Sequence, residues 1–157
     1  MSKGRVANLA HDVDHWANDE PLDAATQERA RAAIERLRDV YASEWVPAAL
    51  REVEEALAMA RTTRGDRHEL FDRIYRVAHD MKGQGATFGY PVLSEIGASL
   101  SRLTAERIYA GEAEIAALDA HVVAARAALA LGPVPTETVE ARRMLASLRI
   151  TVRSLLH

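Results

Sequence analysis

The sequence predicts an all-α protein: an up-and-down four-helix bundle with additional N- and C-terminal helices. Three observations carry this. Apolar residues recur at steps of three and four in one segment after another. Alternating β-branched runs and Asn-Gly or Asp-Gly hairpin turns are missing. All five prolines fall at expected helix boundaries or in a first helical turn, where the absent N–H has no partner to lose. At 157 residues, 48% apolar and 27% charged, the chain fits one globular domain, 1–157. The absence of cysteine removes disulfides, thiol catalysis and cysteine–zinc sites. A net charge of −3 gives no nucleic-acid footprint. No apolar run approaches the ~20 residues of a membrane span. His11, Asp12 and Asp14 interrupt any signal-peptide core after the basic start, so the expected compartment is the cytoplasm.

In chain order, Val6, Leu9, Val13 and Trp16 suggest a short amphipathic helix ended by Asn18-Asp19-Glu20-Pro21. Asp23 caps a second helix reaching about Tyr41, with Ala30, Ala33, Ile34, Leu37 and Tyr41 facing inward. These form an N-terminal extension, 1–42. Ser43 reads as the next N-cap, with Pro47 in the first turn and Val46, Leu50, Val53, Leu57 and Ala60 as the buried stripe of a helix over 43–61. After the turn Thr62–Gly65, Asp66 caps a helix over 66–88, which Gly89-Tyr90-Pro91 closes. The helix over 91–104 buries Leu93, Ile96, Leu100 and Leu103, and Gly97 on that face calls for close backbone approach. The helix over 112–131 carries the cleanest periodicity: Ile115, Leu118, Val122, Ala125 and Leu129. Gly132-Pro133-Val134-Pro135 is a linker. A last helix, 136–157, carries Val139, Leu145, Leu148, Val152 and Leu155. Short connections imply antiparallel neighbours, and 43–131 forms the four-helix core.

The most informative stretch is Ala78–Pro91. On a helical wheel, Leu70, Ile74, Val77, Ala78, Met81, Gly85 and Phe88 form the buried stripe, and His79 lies about 140° from Ile74. Gly83 and Ala86 follow His79 on the exposed face. Gly83 and Gly85 each cost about 1 kcal/mol relative to alanine in a helix interior. An exposed imidazole with almost no side chain beyond it suits approach by another macromolecule's surface.

His79, Met81, Lys82 and Gly83, then Gly85 and Ala86, then Phe88-Gly89, resemble the signature of histidine-containing phosphotransfer (HPt) domains. The helical pattern extends the resemblance to about 43–131, and Gln84-Gly85 departs from the small hydroxylated or alanine residues commoner there. The resemblance implies an HPt-like four-helix bundle in which His79 accepts and donates a phosphoryl group, at Nε2, to and from the aspartate of response-regulator receiver domains. Receivers and a histidine kinase or hybrid kinase are the implied partners. Mg²⁺ is expected on the receiver, and this chain needs no cofactor or metal of its own. It is a phosphoryl carrier rather than an enzyme.

Histidine ordinarily titrates at about pH 6.5, so a neutral imidazole nucleophile is available near neutrality. Lys82, one turn on, places a compact positive charge beside phosphoryl oxygens. Gly83 provides steric access. Arg76 and Arg73 give the face a basic tint that, with Ala86, makes the partner surface. The alternative function is a non-phosphorylated helical adaptor binding receiver or kinase domains. A third class, a metalloenzyme on His11 and His15, lacks a zincin glutamate and a third ligand. His68, His121 and His157 receive no role.

Overall fold

The computed structural model describes residues 23–105 and 111–156. The chain divides into two compact units, Met1–Glu35 and Arg36–His157. The expected first helix and the pair His11 and His15 lie outside the described residues, as does His157.

In the first unit, residues 23–35 begin helix α1 (Ala24–Val40). Asp23 caps it as expected, its Oδ1 accepting the Thr26 N–H at 2.7 Å. That hydrogen bond holds the Asp23 carboxyl below the ordinary carboxylate range. Ile34, expected to face inward, is 51% exposed.

The second unit is all-helical among its described residues, and its helices pack as a bundle. It contains the end of α1, a π-helical turn (Tyr41–Trp45), α2 (Val46–Thr62), α3 (His68–Gly85), α4 (Pro91–Thr104), α5 (Glu112–Leu131) and α6 (Val139–Leu156). The expected break at Ser43 is absent. Residues 36–62 run as one uninterrupted helix. Ser43 Oγ donates to the Asp39 carbonyl at 2.6 Å instead of capping a new helix. Pro47 gives the physical reason: it lacks a donor, and in a regular α-helix its ring would crowd the carbonyl four residues back. The wide turn before it, where the Val46 N–H reaches the Tyr41 carbonyl, absorbs that misfit without ending the helix. Leu37, also expected to be inward, is 47% exposed, whereas Tyr41 is 2% exposed. Burial pushes the Tyr41 phenol up to about 12.

α2 packs on α3 and α5, and α4 packs on α3, α5 and α6. The stripe Val46, Leu50, Val53, Leu57 and Ala60 is buried as the periodicity requires. Arg126 donates to Glu54 and Arg61 pairs with Asp119, so residue numbers rise along α2 as they fall along α5. These two helices are antiparallel. Gly85 meeting Ser94, and Gly97 meeting Lys82, give the same relation for α3 and α4.

α4 is buried nearly all round, not on one face only, because α6 covers the side away from α3. Its hydroxyls are satisfied within the protein. Ser101 and Thr104 donate to the Gly97 and Leu100 carbonyls, and Ser99 meets His121. α6 begins at Val139 rather than Thr136, since Thr138 Oγ1 accepts the Ala141 N–H and serves as the cap. Val139 consequently stands at the edge, 60% exposed, and not in the core.

Candidate functional site

α3 owes its placement to both of its ends. Asp66 Oδ1 accepts the His68 N–H at 2.8 Å, so the anticipated aspartate holds the start, two residues later than the sequence boundary. At the other end the Tyr90 N–H bonds the Gly85 carbonyl and the Gly89 N–H bonds that of Ala86, with Gly89 at φ +85°. This is a Schellman closure, which requires a left-handed residue and therefore favours glycine. Arg38 Nε donates to the Phe88 carbonyl at 3.1 Å, placing a cation at the helix's negative end. Phe88 stacks on Tyr41 at 4.8 Å between ring centroids and meets Trp45 edge-on at 5.6 Å. The π turn thus presents two aromatic rings to the closing turn of α3.

Between these ends, Leu70, Phe71, Ile74, Val77, Ala78, Met81 and Gly85 are buried. His68, Asp72, Tyr75, Arg76, His79, Lys82, Gly83 and Ala86 are exposed. A helical repeat places them along one outer face, so His79, Lys82, Gly83, Arg76 and Ala86 come together as the wheel requires. A Cβ built on Gly83 would meet nothing within 4 Å. The space beside His79 is open.

The glycine two residues on is different. A Cβ on Gly85 would lie 2.6 Å from the Ser94 nitrogen and 2.9 Å from the Tyr90 carbonyl oxygen. Opposite, a Cβ on Gly97 would lie 2.5 Å from the Lys82 nitrogen and 2.8 Å from the Ala78 oxygen. Ser94 Oγ also donates to the Lys82 carbonyl. The backbone carrying His79 therefore rests directly on the backbone of α4, with no long side chain between them. The close approach anticipated at Gly97 is the contact that sets the height of the histidine turn.

Arg73 departs from the sequence reading, and His121, which that reading left without a role, is placed in the core. Arg73 is not a cation of the His79 face. It sits over the α2–α3 seam, with its guanidinium 3.8 Å from Glu52 and 4.0 Å from Glu55. Its wheel position, about 120° from His79, turns it there, and the carboxylates of α2 hold it. His121 is fully buried. Its Nδ1 lies 2.6 Å from the Ala117 carbonyl and its Nε2 2.8 Å from Ser99 Oγ. Since a carbonyl only accepts, Nδ1 carries the proton and Nε2 accepts from the serine. Desolvation lowers the His121 pKa, an effect the Ala117 hydrogen bond partly opposes.

Tyr75 was not anticipated at all. Its ring lies 6.0 Å from the His79 ring, the planes inclined by 20°, one helical turn before the histidine. The available signal was the spacing of four between an exposed aromatic residue and the histidine. Farther along the face, His68 Nε2 lies 3.3 Å from Asp72. On the other flank of α3, a cleft of about 460 Å³ lies against the π turn and α2, lined by residues including Trp45, Val77 and Met81; His79 is not among them. No cluster of three or more metal-ligating side chains occurs among the described residues. No helix among them is long and apolar enough to cross a membrane.

Chemically, the arrangement is an exposed imidazole, an ammonium one turn on, an adjoining guanidinium, and a bare glycine surface. Comparison with protein-family models, curated proteins and solved structures yielded no match.

Proposed function

We propose that this chain is a histidine phosphotransfer protein of the HPt type, its helices α2 to α5 forming an up-and-down four-helix bundle that presents His79. The observation that carries the reading is the exposed His79 between Tyr75 and Gly83, with Lys82 one turn on and open space above the glycine. In this reading the Nε2 lone pair attacks the phosphorus of a receiver's aspartyl phosphate. An N–P bond forms as the P–O bond to the carboxylate breaks, and the carboxylate leaves with that electron pair. The reverse step returns the phosphoryl group to an aspartate. Positioning and charge do nearly all the work in such a transfer, so a spare site suffices. Lys82 balances charge on the phosphoryl oxygens, and Arg76 favours encounter with a carboxylate-lined pocket. The receiver brings the acidic pocket and its Mg²⁺.

The backing of α3 by α4 supports this assignment physically. A nucleophile that must enter another protein's pocket needs a fixed height, and backbone-on-backbone packing at Gly97 supplies it. The test is incubation with phosphorylated receiver domains and Mg²⁺. The wild type gains an acid-labile, alkali-resistant phosphoryl group, and His79→Gln does not, while retaining its helical circular dichroism.

A further inference from the structure

Tyr75 stands one turn before His79, and both are exposed on the outer face of α3. The ring centroids are 6.0 Å apart and the planes are inclined by 20°. That separation lies within the range of offset-stacked aromatic pairs. The helix itself brings the two rings together. Long side chains on an α-helix lean toward its N-terminus, so the imidazole of His79 leans onto the turn that carries Tyr75. One turn in the other direction is Gly83, where a Cβ would meet nothing within 4 Å. The imidazole is therefore backed on one side and open on the other. Nothing else described holds it. Among the described residues, neither ring nitrogen of His79 has a hydrogen-bond or ion-pair partner. The neighbouring charged groups are engaged elsewhere: Asp72 lies 3.3 Å from His68 Nε2, and Arg76 Nε donates back to the Asp72 carbonyl at 3.4 Å. An imidazole with no hydrogen-bonded nitrogen turns readily about its Cβ–Cγ bond, a broad torsion. The phenol plane is what limits that rotation.

We infer that Tyr75 is a positioning residue for transfer: its ring sets the plane in which His79 presents the Nε2 lone pair, an inference that rests on the phosphotransfer reading and deepens it. In the attacking tautomer the imidazole proton is on Nδ1. The N–P bond forms as the P–O bond to the receiver's carboxylate breaks, and the carboxylate leaves with that electron pair. Positive charge then spreads over the imidazole ring until the Nδ1 proton passes to water. A cation within about 6 Å of a phenol ring is attracted by its π face, so Tyr75 also favours the ring charge that develops during attack. Both effects belong to the aromatic face and not to the hydroxyl. Phenylalanine at this position fills the role, and an aliphatic side chain does not.

The test compares the full chain with Tyr75→Phe and Tyr75→Leu. Proton NMR gives cross-relaxation between the rings of residues 75 and 79 in the wild type and in Tyr75→Phe. Tyr75→Leu shifts the His79 ring resonances and leaves those of His121 in place. Phosphoramidate, a small phosphoryl donor whose leaving group is ammonia, then reads the nucleophile without any partner. With peptide mapping of the product, Tyr75→Leu modifies His79 about two- to tenfold more slowly than the wild type, and Tyr75→Phe stays within about twofold of it. With phosphorylated receivers, the limiting rate falls by the same factor and the half-saturating receiver concentration is unchanged. Should Tyr75→Leu lose its helical circular dichroism, Tyr75→Gln, also a good helix former, takes its place with the same expected factor. If no receiver transfers to the chain while the phosphoramidate difference persists, the phosphotransfer reading fails and the positioning of His79 by Tyr75 stands. The inference is overturned if the wild type shows no cross-relaxation between the two rings, or if phosphoramidate does not modify its His79. It is equally overturned if Tyr75→Leu reacts with phosphoramidate as fast as the wild type, or if Tyr75→Phe loses as much as Tyr75→Leu. A raised half-saturating receiver concentration with unchanged phosphoramidate reactivity overturns it too, leaving Tyr75 as a receiver contact.

Discussion

Three glycines within one helix contact carry opposite expectations, and they test the site residue by residue. Gly83 is helical, exposed and free of neighbours. Gly83→Ala is expected to stabilise the fold by about 0.5–1 kcal/mol, through helix propensity and a less flexible unfolded chain. Phosphotransfer is expected to fall with side-chain volume, alanine retaining more of it than leucine. Gly85→Ala and Gly97→Ala are expected to destabilise by about 1–3 kcal/mol, because each new methyl meets backbone that has no rotamer by which to move away. Urea unfolding of the three alanine variants, beside their transfer rates, checks the set. Wild-type transfer by Gly83→Leu would remove the access role of Gly83. Lys82 belongs to the same scale. One charge-assisted hydrogen bond is worth about 1.5–3 kcal/mol, so Lys82→Ala should slow transfer by about one to two orders of magnitude while His79 still becomes modified. An unchanged rate constant would leave Lys82 as a solvated charge.

At the scale of elements, the seam between α4 and α5 holds a titrating group with a definite sign. His121 is neutral and buried, and burial lowers its pKa from the ordinary 6.5. The unfolded chain therefore binds a proton there before the folded protein does. Stability from this group is fully present above about pH 6.5 and is lost as pH falls from there toward the lower folded value. Urea midpoints between pH 7.5 and 5.5 should fall for the wild type and change less for His121→Gln, which has no titrating group at that position. Equal pH dependence in the two proteins would show that carboxylates elsewhere dominate. The same seam shows what the sequence could not disclose. One histidine beside an apolar stripe reads as neutral, and its burial depends on Ser99, 22 positions earlier and on another helix. Arg73 is a parallel case, since the carboxylates that draw it away from the histidine belong to α2. Ser43 followed by Pro47 has the local form of a helix start, and only Tyr41 and Trp45 packing on Phe88 distinguishes a π turn from a break.

For the whole molecule, the legible part was what repeats along one helix: the buried stripes of α2 to α5, the exposed line of His79 and Gly83, and the close approach at Gly97. The illegible part was what needed a second helix to be in place, such as the covering of α4 by α6 and the burial of its hydroxyls. The account places one chemical event, transfer onto His79, on a helix held at both ends and backed by α4. The most direct test is phosphorylation of the full chain by phosphorylated receiver domains of its source genome with Mg²⁺, followed by peptide mapping of the modified residue under alkaline conditions. The account predicts one phosphohistidine, at His79, that chases onto unphosphorylated receiver and is lost in His79→Gln. Phosphoryl incorporation that persists in His79→Gln and disappears in His68→Gln or His121→Gln would contradict it, as would no incorporation from any of those receivers.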